Sequence, residues 1–370
     1  MASVAPKGNK RRRSQAPQER CKSKSPSSSS KLSREPVDFA RSIGAVSCHP
    51  DGVQWSQGNM LAFMGEETVK IIDMKRINPD GGSTGRLMYH GWEVQAPLRA
   101  LKVDLLAAPL MGLDIPLYSR SKTKARPTTN FRSIRWSPWN RGSGNGGCLL
   151  GALTDDHNAV IFAEIDQKWC MILDVSNMLH VEATQAESSL SSVKINAHGV
   201  VVDNFEQVIV TSFAWLPRRH SGSDPRSQLM IATGAGRLAI ASVGVGADST
   251  LSILPPFHPP LPLSTLITSL VVTPYPLATD RHLIFAGTSL GEVLILAFGG
   301  EEGTGECSIV HRITMSGRTS VTRTAPVGCM VSTCIRSGRV YVAVACGADL
   351  GVIEVGLGGG LGQGIRVVDF

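Results

Sequence analysis

The sequence predicts an all-β fold, and three observations support this prediction. Short runs of Val, Ile, Leu and Ala are separated by Gly, Pro, Asn and Asp, which is the spacing of strands and turns. Helical periodicity is weak along the chain. A unit of three such runs recurs five times within the 370 residues. A recurring short β unit predicts a WD-repeat-like β-propeller of about seven blades, some of them degenerate or incomplete.

The first element is a tail over residues 1–37, which we expect to be disordered. It holds nine serines, four prolines, many charges and few large apolar side chains, so it cannot offset the entropy of ordering. The net charge of the chain is +7, yet residues 1–41 alone carry eleven basic and three acidic side chains, a balance of +8. The remainder, with 26 basic and 27 acidic side chains, is at −1. A neutral body disfavours a domain whose whole surface binds nucleic acid.

The propeller is expected over residues 38–370, and its repeats can be followed run by run. The first runs of the five copies are Val53–Ser56, Phe131–Pro138, Ser212–Pro217, Ser269–Pro274 and Cys329–Val331. The second runs are Asn59–Phe63, Cys148–Leu153, Gln228–Gly234, His282–Gly287 and Val340–Ala345. The third runs are Thr68–Ile72, Ala159–Phe162, Gly236–Ser242, Gly291–Leu296 and Gly351–Val355. The near-continuous apolar second runs indicate middle strands buried on both faces.

The copies are unevenly spaced, so other segments must contribute structure between them. At about 40–45 residues per blade, the length after the tail corresponds to roughly seven blades. We expect extra strands or long loops over residues 74–130 and 166–206, with two blades degenerate. A helical-repeat solenoid is the alternative, and the weak helical periodicity disfavours it.

No residues form a catalytic, cofactor-binding or metal-binding pattern in this sequence. The nine histidines are scattered, and the eight cysteines lack paired short spacings, which predicts free thiols in a reducing compartment. The acidic segment Asp155–Asn158 fits a hairpin turn. The glycine-rich segment Gly356–Gly364 lacks the nucleotide-binding motifs and is interpreted as a connector before a last strand, Ile365–Phe370.

A basic cluster in the tail is the clearest functional element. Lys10, Arg11, Arg12 and Arg13 form a nuclear-import type of sequence, which predicts a nuclear protein. The alternative is a solvated tail that contacts DNA or RNA phosphates weakly and without sequence specificity. Serines after Ser25-Pro26 could accept phosphates, which would offset the positive charge. No secretory signal and no run of about 18–20 apolar residues is present, so we expect a soluble protein without a membrane partner.

The stretch from Phe131 to Phe162 carries a specific likeness to a known family. Phe-x-x-x-x-Trp-Ser-Pro, a Gly/Asn loop and Gly-Gly-Cys-Leu-Leu-x-Ala-Leu-Thr-x-Asp resemble a conserved block of the ninety-kilodalton subunit of transcription factor IIIC. The segment from Trp169 to Leu179 is similar to the strand that follows in that family, and Val53–Ile72 resembles its first blade. The resemblance covers residues 45–180 well and the later copies only as generic blades.

The resemblance implies a propeller subunit of the factor that recruits the RNA polymerase III machinery to transfer RNA and similar genes. Its implied partners are the other factor IIIC subunits and the polymerase III initiation machinery, with neither a cofactor nor a small-molecule substrate. Family members continue into a C-terminal zinc-binding region, whereas this sequence stops at Phe370. We therefore expect either a truncated chain or a lineage without that region, and a last blade that could lack its closing strand.

Three functions compete on this basis. The leading one is an interaction scaffold without catalysis of its own. The second is a histone acetyltransferase, an activity attributed to some family members, for which acetyl-coenzyme A would have to bind Arg141–Gly146, a loop of the form R-x-x-G-x-G. In acetyltransferases such a loop opens a helix, whereas here it joins two predicted strands. The third is a generic WD-type nuclear adaptor, for example in RNA processing.

Overall fold

The structure is a computed structural model, and it describes the greater part of the chain after the tail. The described residues are 52–78, 88–97, 129–138, 147–186, 194–196, 199–201, 209–217, 226–244, 249–254, 261, 265–273, 282–299, 307–315, 326–335, 339–347, 349–356 and 364–369. The predictions for the tail and for Arg141–Gly146 fall outside these residues.

Five four-stranded antiparallel sheets, here called blades 1 to 5, make up most of the described structure. Blade 1 contains β1 (Val53–Trp55), β2 (Met60–Met64), β3 (Thr68–Asn78) and β4 (Met88–Gln95). Blade 2 contains β5 (Phe131–Trp136), β6 (Leu150–Thr154), β7 (Ala159–Ile165) and β8 (Lys168–Asp174). A helix, α1 (Val175–Ala186), follows, and then a separate hairpin of β9 (Lys194–Asn196) and β10 (Gly199–Val201).

The remaining three blades follow without a further helix in the described part of the chain. Blade 3 contains β11 (Val210–Trp215), β12 (Ser227–Thr233), β13 (Leu238–Val243) and β14 (Thr250–Ile253). Blade 4 contains β15 (Ile267–Val272), β16 (His282–Thr288), β17 (Glu292–Phe298) and β18 (Cys307–Thr314). Blade 5 contains β19 (Val327–Ile335), β20 (Arg339–Cys346), β21 (Asp349–Gly356) and β22 (Ile365–Asp369). Within each blade the strands lie side by side in chain order, the meander of a propeller blade.

The hydrophobic core lies between consecutive blades. One cluster joins Met64 and Ile71 of blade 1 to Ile134 of blade 2, and the next joins blade 2 to blade 3. Two more clusters join blade 3 to blade 4 and blade 4 to blade 5. Each large side chain buried in this way contributes about 1.5–3 kcal/mol. The blades therefore pack face to face in the order of the chain, and the first strand of each blade lies next to the first strand of the blade before it.

The turn between the second and third strands has the same construction in blades 2, 3 and 4. A threonine hydroxyl at the end of the second strand accepts the backbone N–H four residues later, in the pairs Asn158 to Thr154, Arg237 to Thr233 and Glu292 to Thr288. The residue before that N–H has positive φ: 69° at Gly236, 74° at Gly291 and 60° at His157. Glycine takes this conformation without a steric cost, and His157 is the exception. The turn predicted at Asp155–Asn158 is therefore confirmed.

The propeller class is confirmed, two details differ from expectation, and the blade count stays open. Each unit has four strands rather than three, because the repeat predicted from the sequence lacks the outer strand, which was indicated only at Trp169–Leu179 and at Ile365–Phe370. That outer strand has water on one side and so carries a weak apolar pattern, as β8 does at Cys170 and Met171. Blade 5 has a fourth strand, β22, where the last strand Ile365–Phe370 was predicted, so the possibility that this blade lacks a fourth strand does not apply. Seven blades stays a prediction, since residues 98–128 and 202–208 lie outside the described part.

The helix α1 is the element that the sequence analysis missed altogether. The carboxylate of Asp174 accepts the backbone N–H of Asn177 at 2.9 Å and so caps its N-terminus. Val175 and Leu179 are buried in the cluster between blades 2 and 3. The helix buries only this narrow stripe, so its sequence shows little of the periodicity by which helices are recognised.

Candidate interaction surfaces

Tryptophans of the first strands link consecutive blades through their indole N–H groups. Trp136 of β5 donates to the carbonyl oxygen of Gln54 in β1 at 3.1 Å. Trp215 of β11 donates to the carbonyl oxygen of Arg135 in β5 at 2.9 Å. In both cases the acceptor is the residue just before the tryptophan position of the preceding blade. The seams between blades 1 and 2 and between blades 2 and 3 thus combine apolar packing with a directed indole hydrogen bond.

Arg135 ties three blades together from the first strand of blade 2. Its guanidinium donates to the carbonyl oxygen of Phe213 in blade 3 at 3.2 Å and to that of Leu270 in blade 4 at 2.6 Å. It also lies 6.0 Å from the centre of the Phe213 ring. Its guanidinium satisfies carbonyl oxygens of two neighbouring blades, so this arginine is a structural connection rather than a free charge.

At blade 1 the first strand of the face that forms the later seams is largely exposed. The β-strand register places Val53 of β1 where blades 2, 3 and 4 have Ile134, Phe213 and Leu270, all of which are buried. Trp55 corresponds to Trp136 and Trp215. Trp55 is 57% exposed and Val53 49%, whereas Trp215 is 8% exposed. We call the residues on this side of the sheet the blade 1 end face: Val53, Trp55, Leu61, Phe63, Lys70 and Ile72. Leu61 and Ile72 among them are buried.

Blade 5 has an uncovered face on its opposite side. Val331 of β19 lies at the position of the buried Val271 in blade 4, and it is 59% exposed. Tyr341, Ala343 and Val352 share its side of the sheet and are half-buried. We call these four residues the blade 5 end face. The series of five described blades therefore has an exposed apolar first strand at each end, at Val53 and Trp55 in blade 1 and at Val331 in blade 5.

The acidic turn of blade 2 performs a structural role. The carboxylate of Asp155 accepts hydrogen bonds from the backbone N–H and the side-chain amide of Asn130, at 3.1 and 3.0 Å. Burial raises the pKa of this carboxyl group above its usual range. Burial also lowers the pKa of Arg132, although Asp155 favours its charged form. The turn is thereby fastened to the start of β5.

The predicted site residues fall mostly outside the described structure. Lys10, Arg11, Arg12 and Arg13 and the loop Arg141–Gly146 all do so. Of the cysteines, Cys148 and Cys346 are buried and Cys170 is exposed, and burial raises the pKa of the Cys307 thiol to about 12. Among the residues that the structure places, no group of three metal-ligating side chains occurs. Within the same part of the chain, no helix has both the length and the apolar character to cross a membrane.

Sequence reasoning did not identify either end face, although both left a signal. Three tryptophans recur at the same place in their copies: Trp55, Trp136 and Trp215. Their local sequence pattern is the same, so the exposure of Trp55 becomes apparent only once it is known that no described blade precedes blade 1. In blade 5, residues 339–346 place Val or Cys at every second position, and those positions are buried while the ones between them are not, which is typical of a sheet with one buried face.

Comparisons with known proteins agree with the architecture. The family model for the transcription factor IIIC subunit delta beta-propeller domain matches residues 117–355, which is more than half of the chain. A search of the curated proteins finds no match.

Two solved structures are among those similar to the chain. The Nup133 β-propeller domain of Vanderwaltozyma polyspora is 11% identical, with a TM-score of 0.43, over 88% of this chain and 76% of that one. A protein from Lactobacillus plantarum is 9% identical, with a TM-score of 0.45, over 88% of this chain and 72% of its own.

Proposed function

The chain belongs to the family of transcription factor IIIC subunit delta β-propeller domains, and on that premise we propose that it is an interaction subunit of transcription factor IIIC that supports initiation by RNA polymerase III. The observation that carries the proposal is the family match itself, which runs from before β5 into β21 and so spans blades 2 to 4 and most of blade 5. The likeness to factor IIIC first seen at Phe131 to Phe162 is thus confirmed for the family, and the ninety-kilodalton subunit stays a prediction.

The geometry supports an interaction role. Four apolar seams hold the blades in fixed relation, and each seam buries large side chains that are less than a tenth exposed. A rigid series of sheets presents its turns and end faces in constant positions, which is what a bridging subunit requires. The two end faces offer exposed apolar area of the kind found at protein interfaces.

The basic tail supports a nuclear location as a further part of the proposal. Lys10, Arg11, Arg12 and Arg13 would supply the import sequence, and the same charges would contact DNA only weakly and without sequence specificity. Replacing these four residues with glutamine should leave the tagged protein in the cytoplasm, as seen by fluorescence microscopy. The matched control replaces Arg20, Lys22 and Lys24, outside the four-residue cluster, and should stay nuclear. Equal localisation of both variants would contradict this part.

Depletion and add-back test the proposed function directly. Removing the protein from a nuclear extract should lower transcription from a transfer RNA gene, and adding the purified full chain should restore it. A template read by RNA polymerase II is the control and should be unaffected. Affinity purification of the tagged chain should recover other factor IIIC subunits. Unchanged transfer RNA synthesis together with no recovered subunit would overturn the proposal.

The acetyltransferase alternative is not favoured by the family match, which names a propeller domain. A generic adaptor role outside transcription would be indicated if the purification recovered a stable complex free of factor IIIC subunits.

A further inference from the structure

We draw no further inference here: the strongest candidate, the half-buried guanidinium of Arg132 at the start of β5, already interacts with the carboxylate of Asp155 in the turn of the same blade, and no second observation in the described part of the chain points to a ligand that it would bind.

Discussion

Blades 4 and 5 carry equivalent rows of side chains in different surroundings. Val271, Phe285 and Ile295 lie across the first three strands of blade 4 and are buried under blade 5. Val331, Ala343 and Val352 occupy the same register in blade 5 and are left partly or largely exposed. The strands have the same pairing, so the difference comes from the neighbour alone. Stability in this protein therefore depends on which faces are covered rather than on the strands themselves.

The substitution with the largest expected effect tests whether burial of a blade face under its neighbour decides stability. Phe285→Ala removes a fully buried ring from the seam between blades 4 and 5, and it should cost about 3–5 kcal/mol of unfolding free energy. Val331→Ala, in the uncovered row, should stay within about 0.5 kcal/mol. Urea unfolding of the full chain followed by circular dichroism measures both. Similar losses in the two variants would mean that the blade 5 end face is covered in solution.

Arginines in covered and uncovered positions extend the comparison to charged groups. Arg135→Met removes hydrogen bonds to the carbonyl oxygens of Phe213 and Leu270, each buried between blades, and should cost about 1.5–3 kcal/mol. Arg339→Met in blade 5 breaks an exposed ion pair with Glu354 and should leave the unfolding midpoint almost unchanged. If Arg135→Met has the same unfolding midpoint as the unmodified chain, Arg135 does not stabilise the contacts between blades.

Two glycines allow the same comparison of covered and uncovered positions to be made at the backbone. A Cβ at Gly287 would lie 2.4 Å from Cγ1 of Val327 in the next blade, so Gly287→Ala should cost about 1–3 kcal/mol through overpacking. At Gly328 a Cβ would meet nothing within 4 Å, and Gly328→Ala should be nearly neutral. The two unfolding midpoints compare the seam with the open side of β19. If Gly287→Ala is also neutral, the packing between Gly287 and Val327 adjusts to the added methyl group without a measurable loss of stability.

The last prediction, which has the smallest expected effect, concerns the reactivity of two cysteine thiols and needs no substitution. Burial raises the pKa of Cys307 to about 12, so at pH 8 almost none of it is the reactive thiolate. Cys170 lies exposed on β8, where the reagent can reach it. Brief treatment of the folded chain with iodoacetamide at pH 8 should label Cys170 and spare Cys307, as read by peptide mass spectrometry. Labelling of Cys307 at the rate of Cys170 would indicate that the outer strand of blade 4 opens readily.

Much of the fold could be predicted because the repeats carry their own signal. The continuous apolar run Leu283–Ala286 predicted a middle strand buried on both faces, and β16 is buried along its whole length. The turn at Asp155–Asn158 was predicted from its residue types. Apart from the strands indicated at Trp169–Leu179 and Ile365–Phe370, the outer strands were not predicted, and neither was α1, since each buries only one narrow side and their apolar spacing is correspondingly weak.

The interaction surfaces could not be predicted in the same way. Trp55, Trp136 and Trp215 stand in the same local sequence pattern, and nothing near Trp55 distinguishes it from the other two. Arg135 is one of 37 basic residues in the chain, and its partners lie about 80 and 135 positions away. Such contacts arise only when distant segments are brought together.

The sequence by itself determined the β class, the repeating unit and its tight turns, because these depend on residues near one another along the chain. The tertiary structure decided which faces of the blades are covered, which of the equivalent tryptophans reaches a neighbour, and which arginine joins three blades. These depend on the order in which sheets pack. Burial is a property of both partners in a contact, and a run of residues specifies only one of them.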